Sequence, residues 1–243
     1  MTVGFSYDGS VANTINFVNQ LALLAVVSPT DPNFQSLLPA AITYAENRIY
    51  RDLDFLSTIT VNYSYTTTPG TRSVVIPVSD FITIQNINII TGSNIPDIGT
   101  RNPLLPSTKE FLDNVYPAYV NATVPQYFAM LNQSTIYLGP WPDQYYVVEV
   151  VGTYRPNSMS ASNVSTFISL YLPDLMIMAA MIYVSGYQRN FSSTGNDPQM
   201  PINYETQYQT LMKSAVVEEA RKKFEAGGWT SKSPAIAATP SRG

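Results

Sequence analysis

The chain contains no cysteine and no histidine. Without cysteine there are no disulfides, no thiolate metal ligands and no thiol nucleophiles. Without histidine the commonest metal ligand and the commonest general base are missing as well. Charge is also scarce. Charged residues fill 12% of the 243 positions, against about a quarter in ordinary globular chains. Asn, Gln, Ser, Thr and Tyr take their place. A partner can cover such a surface without desolvating many charges, which suits a permanent subunit interface. It suits an extracellular β protein equally well. The formal net charge of −4 argues against wholesale nucleic-acid binding, which needs clustered Lys and Arg. The basic residues are nonetheless uneven, with Lys213, Arg221, Lys222, Lys223, Lys232 and Arg242 near the end.

Long hydrophobic runs are missing too. LALLAVV (Leu21–Val27) resembles a short apolar core, but no Lys or Arg precedes Arg48, so it is not read as a signal peptide. Leu170–Val184 contains Pro173 and Asp174 and is too short to span a bilayer comfortably. Triplets such as Asn62–Ser64 and Asn132–Ser134 arise by chance in an Asn/Ser/Thr-rich chain. The length allows one large domain or two small ones with a substantial core.

What is present is a change of period. Ser10–Val26 reads as a first helix, with Ile15, Val18, Leu21, Ala22 and Ala25 on one face and Ser10 as its cap. SPTDPN (Ser28–Asn33) is a turn. Pro39 opens a second helix, Pro39–Leu56, whose Ala41, Ile42, Ala45, Ile49 and Leu53 form an apolar stripe. Arg48 and Asp52 stand four apart on another face, as do Asn47 and Arg51. The period then drops from about 3.6 to 2 in TITVNYSYT. Strands are expected at Ile59–Tyr65, Ser73–Pro77 and Phe81–Ile90, with a loop at Ile95–Pro106. Ser107 and Glu110 make a capping-box pattern for a short helix ending at Val115. Tyr127–Leu131, Ser134–Leu138 and Tyr146–Tyr154 read as a three-stranded meander.

Helical spacing returns afterwards. Pro173–Tyr187 is apolar on almost every side, which implies burial. Asn190–Met200 reads as a flexible loop. Pro201–Phe224 carries Tyr204, Tyr208, Leu211, Ala215 and Phe224 on one stripe. Its Glu218/Lys222 and Glu219/Lys223 pairs are favourably ordered, and Gly227-Gly228 ends it. The remainder has no periodicity and reads as a flexible arm. The fold class is therefore α+β: a helical bundle built from the N- and C-terminal segments, with an inserted, mostly antiparallel β region. The expected boundaries are 1–56 and 157–226 for the helical part, 57–156 for the insert and 227–243 for the arm.

Candidate chemical sites are weak. Asp52 and Asp54 could offer oxygens to Mg²⁺ or Mn²⁺, but no third acidic residue is near in sequence, and a solvated helix end is the better reading. Glu46 could be a general base only in an apolar pocket; pairing with Arg48, Arg51 or a neighbouring subunit is preferred. The serines have no His partner. Trp141, Tyr145, Tyr146 and Tyr154 could form a sugar-stacking platform or an interface. Arg221–Lys223 suit a helix C-terminus better than DNA. The reading is no enzyme, no metal and no cofactor.

The order of the pieces resembles the head-to-tail adaptor (connector) proteins of tailed bacteriophages. The resemblance rests on LPAAITYAENRIYRDLDF (Leu38–Phe55), with its AE-x-R-I helix, on VPQYF (Val124–Phe128), and on IYLGPWPD (Ile136–Asp143). It continues through VVEVVGTYRP (Val147–Pro156), LPDLMIMAAMIYV (Leu172–Val184) and YETQY (Tyr204–Tyr208). The resemblance implies a ring, commonly dodecameric, docked beneath the portal protein in the virion neck. The ring would join below to tail or nozzle proteins, with DNA only as passing cargo and no membrane contact. Such rings assemble in the host bacterial cytoplasm. Glu46, Arg48, Arg51, Trp141 and Tyr145 are then candidate subunit-interface residues. Trp229, Lys232, Ile236 and Arg242 are candidate portal-docking residues, because apolar residues with no periodic partner in a positively balanced arm are suited to anchoring. The alternative is a carbohydrate- or receptor-binding β module of a phage tail.

Overall fold

The computed structural model describes residues 3–188 and 200–227. The N-terminal part comprises β1 (Gly4–Ser6), β2 (Thr14–Asn16), α1 (Phe17–Leu24) and α2 (Pro32–Asp52). The middle comprises β3 (Ile59–Thr66), β4 (Ser73–Val75), β5 (Thr83–Thr91), β6 (Thr100–Pro103), β7 (Leu105–Pro106), α3 (Lys109–Val115), β8 (Tyr127–Asn132), β9 (Thr135–Gly139) and β10 (Val147–Thr153). The C-terminal part comprises α4 (Phe167–Tyr171), α5 (Pro173–Gln188) and α6 (Met200–Gly227). The chain has both helices and antiparallel sheets and is α+β. It divides into two units, Met1–Ser57 with Pro156–Gly243, and Thr58–Arg155.

In the first unit, α5 lies against α1, α2, α4 and α6. Its Leu175, Met176, Ala179, Ala180 and Met181 are almost wholly buried, and they meet Phe17, Leu21, Leu38, Ile42, Ile49 and Tyr208 in one core. Each large apolar side chain buried this way contributes about 1.5–3 kcal/mol. The expected helical start at Ser10 is corrected. β1 pairs in parallel with β2, with Ser6 and Thr14 hydroxyls 2.7 Å apart. That pairing takes Thr14–Asn16 out of the helix, and Asn16 caps α1 by accepting from the Asn19 N–H at 2.9 Å. α2 also starts earlier than Pro39. Asp31 accepts from the N–H groups of Asn33 and Phe34, each at 2.9 Å, with Pro32 in the first turn. Pro39 lies inside and lacks the N–H of a full helical ladder. Burial of Phe34 and Leu38 holds the extra turn in place. α4 had no sequence signal strong enough to notice. It is capped by a Thr166/Ser169 capping box.

The second unit contains two four-stranded sheets, ordered β3-β10-β5-β6 and β4-β9-β8-β7. Pairing is antiparallel except between β7 and β8. Inward side chains of both sheets, among them Val74, Ile87, Ile89, Ile136, Leu138, Val148 and Val150, form one core. The meander expectation is therefore corrected. β8 and β9 pair as a hairpin, but β10 leaves them to lie between β3 and β5 in the other sheet. Alternation fixes which face a strand buries, not which neighbour it takes. The loop expected at 95–106 includes β6 and β7 as edge strands. α3 starts one residue later than expected. Thr108 is its cap, accepting from Phe111 N–H, while the Ser107 N–H donates to the Phe128 carbonyl. The readings of a flexible loop at 190–200 and of an arm after Gly227 fall, apart from Met200, on residues outside those described.

Candidate functional site

Of the residues singled out on α2, Glu46 faces inward and Arg48 and Asp52 face α6, whereas Arg51 is exposed. Glu46 is 1% exposed. Both its carboxylate oxygens accept from the Met159 N–H at 3.2 Å, and one accepts from the Thr166 hydroxyl at 3.2 Å. The expectation that Glu46 pairs with Arg48, Arg51 or a neighbouring subunit is corrected: it secures the segment that returns from the β insert. Burial pushes its carboxyl above the ordinary glutamate range, against hydrogen bonds from Ser158, Met159 and Thr166 that favour the charged form.

Glu46→Ala is expected to lose about 1–3 kcal/mol of stability, because buried donors lose their acceptor. The raised value sets the sign of the pH dependence. The folded state holds this proton more tightly than the unfolded chain. Ionisation therefore removes stability as pH rises from the ordinary carboxylate range through the raised value. The stability gap between wild type and variant should be widest in acid and narrow with rising pH. Denaturant titrations at several pH values check this, and a gap that widens with pH would contradict it.

Arg48 joins α2 to α6. It donates to Glu205 at 2.6 Å and to the Tyr44 hydroxyl at 3.2 Å, lies 3.8 Å from Asp52, and stacks 4.3 Å from the centre of the Tyr208 ring. The Tyr208 hydroxyl donates to Asp52 at 2.7 Å. The contact with Glu205 holds Arg48 charged and keeps the Glu205 carboxyl below its usual range. Burial, followed by the bond to Asp52, raises the Tyr208 phenol. Asp54 pairs with Lys223. The two aspartates thus serve as α6 partners, and among the described residues no group of three or more His, Cys, Asp or Glu could hold a metal. Lys222 takes both Glu218 and Glu219, at 2.8 and 2.7 Å, so the expected Glu219/Lys223 pairing gives way. Arg51 is exposed and donates to the Asn47 carbonyl of its own helix at 3.0 Å.

In the second unit, α3 packs against β8 and β9. Trp141 is half-buried, donates through Nε1 to the Tyr116 carbonyl at 3.0 Å, and meets Tyr119 edge to face. Arg72 stacks 4.2 Å from the Tyr137 ring centre and pairs with Asp113 of α3. Tyr146 is buried, and Tyr145 is 65% exposed. The four aromatics imagined as a sugar platform therefore do not present one free face.

Two surface features went unread in the sequence. The first is at the end of α1, where Leu23, Val26 and Val27 are exposed by 72, 90 and 36%. The second is an open cleft of about 570 Å³ at the edge of the sheet core, lined by Ile82, Ile84, Leu104, Phe128 and Met130 together with Gln85, Asn86 and Gln133. Exposure at the cleft depends on which strands become neighbours, which alternation alone does not reveal, and exposure at the end of α1 depends on what packs against that helix. Trp229, Lys232, Ile236 and Arg242 lie outside the described residues.

A family model described as SU10 adaptor protein matches residues 13–231. The chain belongs to the SU10 adaptor protein family. This is a family of phage head–tail adaptors, so the adaptor is a structural phage protein. The match spans both units and every described element from β2 onward. No curated protein is significantly similar to the adaptor. Among its described residues, no helix is long and apolar enough to cross a membrane.

Proposed function

We propose that the adaptor forms a ring of identical subunits beneath the portal, joins the capsid to the tail, and leaves a channel for DNA. The family match over residues 13–231 carries this reading. The low charge content supports it, because a neutral surface loses little when a neighbour covers it. Closed rings of one protein arise from repeated contacts related by rotation. Arg51 and Tyr145 are exposed and remain available to neighbours, and the edge of Trp141 is partly so. Glu46 and Arg48 serve within their own unit instead.

The arm is proposed to dock on the portal through Trp229, Ile236 and the cations Lys232 and Arg242. A buried Trp is a frequent hot spot, and its truncation commonly costs more than 1 kcal/mol. Two measurements test the proposal. Imaging of the full chain, alone and mixed with portal particles, should show rings in at least the mixture. A chain lacking residues 228–243 should bind those particles at least tenfold more weakly. A chain that stays monomeric and leaves portal particles undecorated overturns the ring, and unchanged affinity after truncation overturns the docking role of the arm.

A further inference from the structure

We infer that residues 156–166 form a strap that opens locally from the helical unit when the buried Glu46 carboxylate ionises and stays shut while it is protonated. The strap is where the chain re-enters the helical unit from the β unit, so it is one of the two crossings between them. The inference does not depend on the ring reading.

The strap is folded on itself. The Ser160 N–H donates to the Asn163 carbonyl at 2.9 Å, and the Asn163 N–H donates to the Ser160 hydroxyl at 3.1 Å. The Asn163 amide donates to the carbonyls of Asn157 and Ser158 at 2.8 and 3.2 Å. These bonds survive when the strap lifts as a body. Its attachments to the rest of the unit are few. The Val164 carbonyl accepts from the Tyr7 N–H at 2.8 Å. Within 156–166 only Met159 and Thr166 are buried, and both bond Glu46. Ser158 bonds it as well. A single carboxylate therefore gathers most of what holds the strap down. Segments with few buried contacts are the ones that open before the whole domain does.

That carboxylate has no countercharge. Its bonding partners Ser158, Met159 and Thr166 are uncharged, and the strap, α1 and α4 contain no charged residue. On α2, Arg48 holds Glu205, Arg51 donates to the Asn47 carbonyl, and Asp52 accepts from Tyr208. On α6, Lys222 takes Glu218 and Glu219, Lys223 takes Asp54, and Lys213 and Arg221 are exposed. Asp174 of α5 is exposed too. The other described titratable side chains on these helices are phenols. A carboxylate buried without a cation favours its neutral form. Lifting the strap admits water to Glu46 and restores its ordinary behaviour. The closed state therefore binds the proton more tightly than the open one, and rising pH shifts the balance toward opening. The shift starts in the ordinary carboxylate range and is complete above the raised value of the closed state.

Native-state hydrogen exchange of the full-length chain, read by mass spectrometry and corrected for intrinsic rates, tests the strap. Peptides from 156–166 are compared with peptides from α5, whose Met176, Ala180 and Met181 are 0% exposed. In the wild-type chain the strap should be at least about tenfold less protected than α5, because it opens without unfolding the helices. Its protection should fall with rising pH by up to about tenfold per pH unit, the limit for one proton, and then level off. In Glu46→Gln, which keeps an acceptor but does not titrate, strap protection should not change with pH. Equal protection of strap and α5 overturns the proposal, because the strap then opens only when the unit unfolds. Strap protection that ignores pH in the wild-type chain overturns it as well. So does a glutamine variant that keeps the wild-type pH dependence, since another group would then control the opening. If Glu46→Gln does not fold, the two wild-type readings decide by themselves.

Discussion

Tyr208→Ala is expected to lower the stability of the helical unit by about 3–5 kcal/mol, the range for removing a large buried aromatic side chain. Tyr208 is 0% exposed, its ring lies beneath the Arg48 guanidinium, and its hydroxyl donates to Asp52. The truncation therefore opens a cavity between α2 and α6 and removes a cation–π contact and a hydrogen bond together. Tyr208→Phe should cost only about 0.5–1.5 kcal/mol, because the ring stays and Asp52 is 39% exposed and can turn to water. Calorimetry distinguishes the two substitutions. The alanine variant should shift the melting midpoint by on the order of 10 °C. Equal shifts for the two variants would show that the hydroxyl, not the ring, holds α6 in place.

The second large effect belongs to the β unit. Gly152→Ala is expected to cost about 3 kcal/mol, at the upper end of the usual penalty for overpacking. A Cβ at this position would run into the Thr83 carbonyl oxygen and come within 2.7 Å of Phe81 Cδ1 and 3.3 Å of Ile84 Cα. Two of those obstacles are backbone and cannot rotate away. Gly152 also sits where the β10–β5 register shifts, between Val151 and Gly152. Relief would therefore require β10 to move relative to β5. Circular dichroism during denaturant unfolding measures the loss. A variant as stable as wild type would mean that the strands separate there at little cost. If the units melt in distinct transitions, Tyr208→Ala should move one and Gly152→Ala the other.

Much of the element content was legible because periodicity survives translation into structure. The Ala41/Ile42/Ala45/Ile49 stripe is buried, and so is most of the apolar α5, apart from a strip that exposes Asp174 and Tyr183. The borders were harder. Pro39 looked like a helix start because proline is best tolerated there. Asp31 and Pro32 supply a stronger start seven residues earlier, and tertiary burial of Phe34 and Leu38 carries the helix through Pro39. Ser10 looked like a cap, but β1 claimed Thr14–Asn16 by pairing from a distance in sequence.

The candidate site divides along the same line. Glu46 and Arg48 stood out in the sequence as candidate subunit-interface residues, but their partners within the chain were not legible. Met159 and Thr166 are more than a hundred positions from Glu46, and Glu205 is 157 from Arg48. Composition and local period set the helix–sheet–helix order, the α+β class and the neutral surface. The likeness to phage adaptors rested instead on particular stretches such as Leu38–Phe55 and Ile136–Asp143, and the family match shows it. The tertiary structure alone decided that β10 joins β3 and β5, that Glu46 is buried, that Val26 is held with positive φ, and that a cleft stays open at the sheet edge. The physical reason is common to all four. Local pattern records which face of an element avoids water, whereas neighbours, buried charges and backbone strain are set by contacts between residues far apart in the chain.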